Sequence, residues 1–191
     1  MRATTIVTIA ALALGLVACG RESVPARDAT ANLPALDRVG EAGVTVALPA
    51  GWSEAPRVRT SVTDPVQRVV VSSTPARINP DPGSCTTEAS ERVFAPTGAM
   101  VLVMEYTSQI GGPIANYSMR PERFGGTGTE QDARRLSAGG FECFAGPGWM
   151  FMFADRGRRF LAWVLLGSEA KPAVEAEALA VLTTLSVDPV P

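Results

Sequence analysis

The sequence predicts an α+β fold: a single domain in which an antiparallel β-sheet carries a C-terminal helix packed on one face. Three observations lead there. Apolar runs of strand length recur between Gly- and Pro-rich breaks, two long apolar runs flank a tight turn near residue 156, and a segment near the C-terminus repeats its apolar residues at helical spacing. A length of 191 residues suits one domain with a sizeable core plus short accessory segments.

Val44, Val46 and Leu48 alternate and predict a short strand stopped by Pro49. Ala50-Gly51-Trp52 turns and returns an aromatic side chain to the core. VQRVVVS, Val66 to Ser72, is a second strand, and Pro75 to Ser84, with three prolines and a glycine, predicts a loop. AMVLVMEY, Ala99 to Tyr106, is apolar at both alternating sets of positions, as a central strand is. Residues 108–138 show no sustained period. Phe141 to Phe144 and Gly148 to Ala154 predict strand, Asp155-Arg156-Gly157-Arg158 a turn, and Arg159 to Leu166 the returning strand. A helix follows Gly167, with Ser168 as its expected N-cap, Pro172 in its first turn and Glu175 and Glu177 near the positive end of its dipole. Val174, Ala178, Val181, Leu182 and Leu185 form one apolar helical face. Ser186 to Pro189 leaves the helix.

Charge and composition narrow the function. Seventeen basic and nineteen acidic residues nearly cancel, so no nucleic-acid partner is expected. The chain has no histidine, which removes His-assisted nucleophilic catalysis and HExxH zinc sites. GxSxG, the P-loop and a GxGxxG between strand and helix are likewise missing from the sequence. Gly125, Gly126 and Gly128 have no lysine after them and read as a loop. Lys171 precedes Pro172 at an exposed helix start, where nothing would desolvate its amine for a serine–lysine dyad. Asp81 and Glu88 flank a Gly-Ser turn without the register of a calcium loop, and the sequon at Asn116 is incidental. No catalytic, cofactor-binding or metal-binding residue is assigned, and no cofactor is expected. An envelope hydrolase or transferase using carboxylates remains the alternative, and it requires residues distant in sequence to converge.

Seven of the twelve aromatic residues fall between Phe141 and Trp163. Trp149, Phe151 and Phe153 face one way along their strand, with Met150 and Met152 facing the other. Two readings fit: a hairpin buried on both faces, or one face left open as a ligand groove walled by Trp149, Phe151 and Phe153. Arg156, Arg158 and Arg159 cluster at the hairpin tip, either as a solvated turn or as a contact for anionic head groups or wall polymer.

The N-terminus carries Arg2 and then an apolar run from Ile6 to Val17, the layout of a signal peptide. Twelve helical residues rise about 18 Å, short of the roughly 30 Å of a bilayer core. Leu16-Val17-Ala18-Cys19 resembles a bacterial lipobox. That resemblance implies a signal peptide over 1–18, lipid attachment at Cys19, and export to the outer face of the cell membrane with the membrane as a partner. Residues 19–34 then read as the lipidated cysteine and a flexible tether, and 35–191 as the domain. In an exported chain Cys85 and Cys143 form an even pair, and a disulfide between them is expected. Such a bridge would contribute about 4 kcal/mol by constraining the unfolded chain.

VTVALPAGW at the start of the domain, with RRFLAWVLLG and EAEALAVLTTLSV at its end, resembles the secreted or lipidated actinobacterial domains of PsbP/Mog1-like fold. The resemblance covers the two ends of the domain and rests on packing residues. It implies an antiparallel sheet crossed by a final helix, and a non-catalytic accessory or binding role for an apolar small molecule or an envelope protein. The disulfide is checked by alkylating the denatured, unreduced ectodomain: neither Cys85 nor Cys143 is labelled until a reductant is added.

Overall fold

Alternation along three long strands sets the architecture, because each is apolar on both sides and must be covered twice. The structure, a computed structural model, describes residues 37–58, 64–80, 92–125, 133–136, 144 and 146–190, with the backbone alone at 92 and 133–136. In chain order the strands are β1 (Arg38–Glu41), β2 (Val44–Ala47), β3 (Ser53–Glu54), β4 (Val66–Ser72), β5 (Arg77–Ile78), β6 (Arg92–Val93) and β7 (Ala99–Tyr106). Then come β8 (Ser118–Met119), β9 (Ala133–Leu136), β10 (Gly148–Asp155), β11 (Arg158–Leu166), helix α1 (Pro172–Thr183) and β12 (Ser186–Val187). Two single 3₁₀ turns, Gln109–Gly111 and Ile114–Asn116, lie between β7 and β8.

The main sheet runs β3-β4-β7-β11-β10-β8, with β9 pairing along β10 beside β8. All its ladders are antiparallel except the two-residue contact of β8 with β10. A second antiparallel sheet, β1-β2-β12, forms when the chain returns after α1 to pair Val187 with Val44. The fold is therefore α+β, and the described residues fall in one compact unit. β2 falls on the strand expected from Val44, Val46 and Leu48, whereas most of the other short strands, of two to four residues, went unread because they are too short to show a period, and β12 occupies part of the segment expected simply to leave the helix.

β7 is buried along its length up to Glu105. Its odd residues, Ala99, Val101 and Val103, join Val69 and Val71 of β4, and Phe160, Ala162, Val164 and Leu166 of β11, on the face that meets α1 and the small sheet. Its even residues Met100 and Leu102 pack with Val70 and Leu165 on the other face. From α1, Ala178, Val181 and Leu182 are buried against the first face, followed by Leu185. The helix starts later than Ser168 would place it. Pro172 fixes φ at N1 and Lys171 is the N-cap, while Ala170 N–H closes a turn on the Gly167 carbonyl, 3.0 Å away. The β10–β11 connection is a two-residue turn in which Arg156 and Gly157 both have positive φ, 48° and 79°, the sense that matches strand twist.

Gly167 is buried where the chain leaves β11, its N–H bonded to the Gly98 carbonyl at 2.9 Å. A Cβ there would lie 2.1 Å from the Pro96 carbonyl oxygen. Gly167→Ala is expected to destabilise the domain by about 1–3 kcal/mol through forced backbone displacement, read as a lower urea midpoint.

Candidate functional site

Glu105 closes one end of the core between the two layers. Its odd position puts the carboxylate on the α1-facing side of β7, one pleat beyond Val103. Arg158 sits on the same face of the neighbouring strand, two residues from Phe160, which pairs with Glu105. The two side chains, 10% and 9% exposed, meet as a fork: Arg158 Nε donates to Oε1 and Nη2 to Oε2, each at 2.7 Å. Arg68 Nε donates to the same Oε2 at 2.7 Å. Strict alternation would turn Arg68 away from the face taken by Val69. A β-bulge between Gln67 and Val69 redirects it.

The chain of charges continues outward. Arg68 Nη1 reaches Glu41 Oε1 at 3.3 Å, and Arg57 bridges Glu41 at 2.6 Å and Glu54 at 2.7 Å. Three arginines and three glutamates thus alternate across β1, β3, β4, β7 and β11 with no net charge. Arg158 Nη1 also donates to the Ala42 carbonyl at 3.0 Å and lies 3.4 Å from the Asp188 carbonyl, tying in the β1–β2 turn and the segment after β12. Burial pushes the Glu105 carboxyl upward, but hydrogen bonds from Arg158 and Arg68 and their charges outweigh it and leave it below its ordinary value. The Arg158 guanidinium is raised, first by its bonds to Glu105 and against its own desolvation. This pair lines a cleft of about 500 Å³ together with Arg68, Gly43 and Asp188–Val190.

A second buried carboxylate, Asp64, is saturated in another way. Its Oδ1 accepts from Thr107 N–H at 2.6 Å and Thr107 Oγ1 at 3.0 Å, and its Oδ2 from Ser108 Oγ at 2.7 Å and Ser108 N–H at 3.4 Å. Burial raises its pKa, but these donors together lower it by more and leave a net depression. Tyr106 and Tyr117 nearby are both raised, chiefly by burial and then by neighbouring groups including the Asp64 charge.

The expected residues fall as follows. Phe151 and Phe153, 3% and 1% exposed, are core, with Phe124 edge-on to both at centroid distances of 5.0 and 5.4 Å. For Phe151 and Phe153 the groove-wall reading is thereby corrected to the other of the two readings, a hairpin packed into the interior. Trp149 is half-buried at the edge of that core, stacked on Phe151, and its Nε1 donates to Glu175 Oε1 at 2.8 Å. The basic tip is corrected too. Arg158 is turned onto Glu105, and Arg159 donates to the carbonyls of Gly112 and Ser108, so of the three only Arg156 is exposed. Lys171 is the exposed N-cap of α1. Cys19, Cys85, Cys143, Asp81, Glu88, Gly126 and Gly128 lie outside the described residues. The charge ladder was missed, although Arg68 and Glu105 are opposite charges embedded in otherwise apolar strands, which is a signal for a buried pair.

No protein-family model matches this chain, and no curated protein matches it.

The ladder has consequences for stability. Glu105→Gln leaves the Arg158 guanidinium without its counter-charge and Arg68 with Glu41 alone, and is expected to cost about 3 kcal/mol at neutral pH. Glu105 and Asp64 are both depressed on folding from ordinary values of 4.5 and 3.8. The stability they contribute is complete above those values and is lost as pH falls through the folded ones. Urea unfolding between about pH 5 and pH 3 is expected to show a steep loss for the wild-type chain and a shallower one for Glu105→Gln.

Proposed function

We propose that this protein is a non-catalytic binding or accessory module of the cell envelope, exported and held on the outer face of the cell membrane by lipid on Cys19. The observation that supports the non-catalytic reading is the state of its buried carboxylates. Glu105 is held ionised by two guanidiniums and Asp64 by four hydrogen bonds, so neither is poised to take up and release a proton near neutral pH. The alternative, a carboxylate hydrolase or transferase, needs such a group.

Support for the envelope comes from the likeness of Leu16-Val17-Ala18-Cys19 to a lipobox, and for the accessory role from the PsbP/Mog1-like resemblance of the domain's two ends. With Phe151 and Phe153 closed in the core, the reading favours an envelope protein over an apolar small molecule as partner. Acyl chains on one cysteine bury many more CH₂ groups than a single myristoyl chain, which alone binds only marginally.

The test is Cys19→Ser. The wild-type chain is expected to fractionate with membranes and to incorporate an alkyne-tagged fatty acid, and the variant to lose both properties. A wild-type chain that is unlabelled and soluble would overturn the reading.

A further inference from the structure

We propose that the loop 108–119 is a membrane-contact surface, resting Ile110, Ile114 and Met119 in the interfacial zone of an anionic bilayer with Arg156 among the head groups. The inference rests on the lipid-anchored reading above and extends it to how the domain lies.

Ile110, Ile114 and Met119 are 76%, 43% and 75% exposed, three large apolar side chains within ten residues. Scattered exposed apolar residues are ordinary. These differ in being held in place from beneath. Asp64 takes four hydrogen bonds from Thr107 and Ser108 where the loop leaves β7. Arg159 donates to the Ser108 carbonyl at 2.6 Å and to that of Gly112, and Tyr117 Oη donates to the Gly111 carbonyl at 2.7 Å. The exposed side chains therefore stand on a loop that is already ordered, and docking it costs little further conformational entropy.

Charge points to the chemistry of the surface. Met119 pairs with Ala154, two residues before the exposed Arg156 at the hairpin tip. The acidic neighbour Asp155 is neutralised by Arg120 at 3.1 Å. Glu122 and Arg123, both exposed, offset one another. A cation beside apolar side chains is the pairing that anionic head groups over acyl chains accept.

The entry of the chain into the domain and the residue after Met119 meet at the C-terminal end of α1. Arg38, the first residue of β1, donates to the Thr184 carbonyl at 2.9 Å, and Arg120, next to Met119, donates to the adjacent Leu185 carbonyl at 2.7 Å. Seventeen residues lie between Cys19 and Asp37, a reach of at most about 65 Å. An anchor that close raises the effective concentration of bilayer at the loop, so three side chains and one cation suffice where they would bind marginally in free solution.

Met119 is its own reporter, because an exposed thioether oxidises readily and a lipid-covered one does not. The full chain, reconstituted into vesicles of equal parts phosphatidylcholine and phosphatidylglycerol, is treated with peroxide, and Met119 sulfoxide is followed by peptide mass spectrometry against Cys19→Ser in buffer. Oxidation about fivefold slower on vesicles is expected, with most of that protection lost in the Ile110→Ser/Ile114→Ser variant. A chain whose intact mass shows acylation but whose Met119 oxidises at the solution rate overturns this inference and leaves the anchor standing. Protection that survives the double substitution, or that rises with protein density on the vesicle, assigns the cover to a second copy and overturns it as well. A chain that carries no acyl group and washes off the vesicles overturns both readings.

Discussion

Glu105 sits where a strand that is apolar on both faces runs out of core, and its carboxylate must be neutralised within the protein. The two arginines that do this come from the strands on either side of β7, so the ion pair spans the three strands that define the sheet. Buried ion pairs of this kind are weak evidence of stability, since apolar residues of the same volume often serve as well. What they fix is register. A one-residue slip of β11 against β7 would carry Arg158 to the opposite face and leave Glu105 without its fork, while the apolar residues of both strands would still find apolar neighbours. In a sheet buried on both sides, hydrophobic alternation cannot by itself choose between registers. The charges can.

The same residue couples the layers. Arg158 reaches across to the carbonyl of Ala42, in the β1–β2 turn, and toward that of Asp188, just after β12. The small sheet exists because the chain, after α1 has crossed the main sheet, comes back to pair with β2. Its three strands are too short to be stable as an isolated sheet and draw their stability from the Val44, Val46 and Val187 side chains shared with the main core. This is why the long elements, and β2 with its Val44–Val46 alternation, could be read from sequence while β1 and β12 could not. β4 and β7 carry seven or eight residues of pattern, and their bounds match the reading residue for residue. β1, β3, β5, β6, β8 and β12 carry two to four residues each, and tertiary pairing alone selects them. At α1 the apolar face was legible, but a serine with capping chemistry lost to a proline whose fixed φ starts the helix three residues later.

The candidate site was less legible than the fold, for two physical reasons. The first is the bulge at Arg68. Period-two reading assigns that side chain to the wrong face, and nothing in VQRVVVS marks where the extra residue is inserted. The second is that the fate of the aromatic hairpin was decided elsewhere. Trp149, Phe151 and Phe153 share a face in any strand, and whether that face is open or packed depends on what covers it. The cover is Phe124, from the stretch with no periodicity at all, together with α1.

Arg156, Arg158 and Arg159 show how far a charge in the sequence can be from a charge on the surface. In line they form a basic patch. In the hairpin, the turn takes the first outward and the pleat sends the next two to opposite faces, one to neutralise Glu105 and one to the carbonyls of Ser108 and Gly112. The patch is thereby reduced to a single exposed cation. Yet Arg159 is not removed from the surface without effect, because it shapes the loop on which Ile110 and Ile114 stand. The electrostatic attraction suggested by three arginines becomes, on folding, a weaker charge beside a rigid apolar loop, and an interface of that kind depends on proximity supplied by a tether more than on affinity of its own.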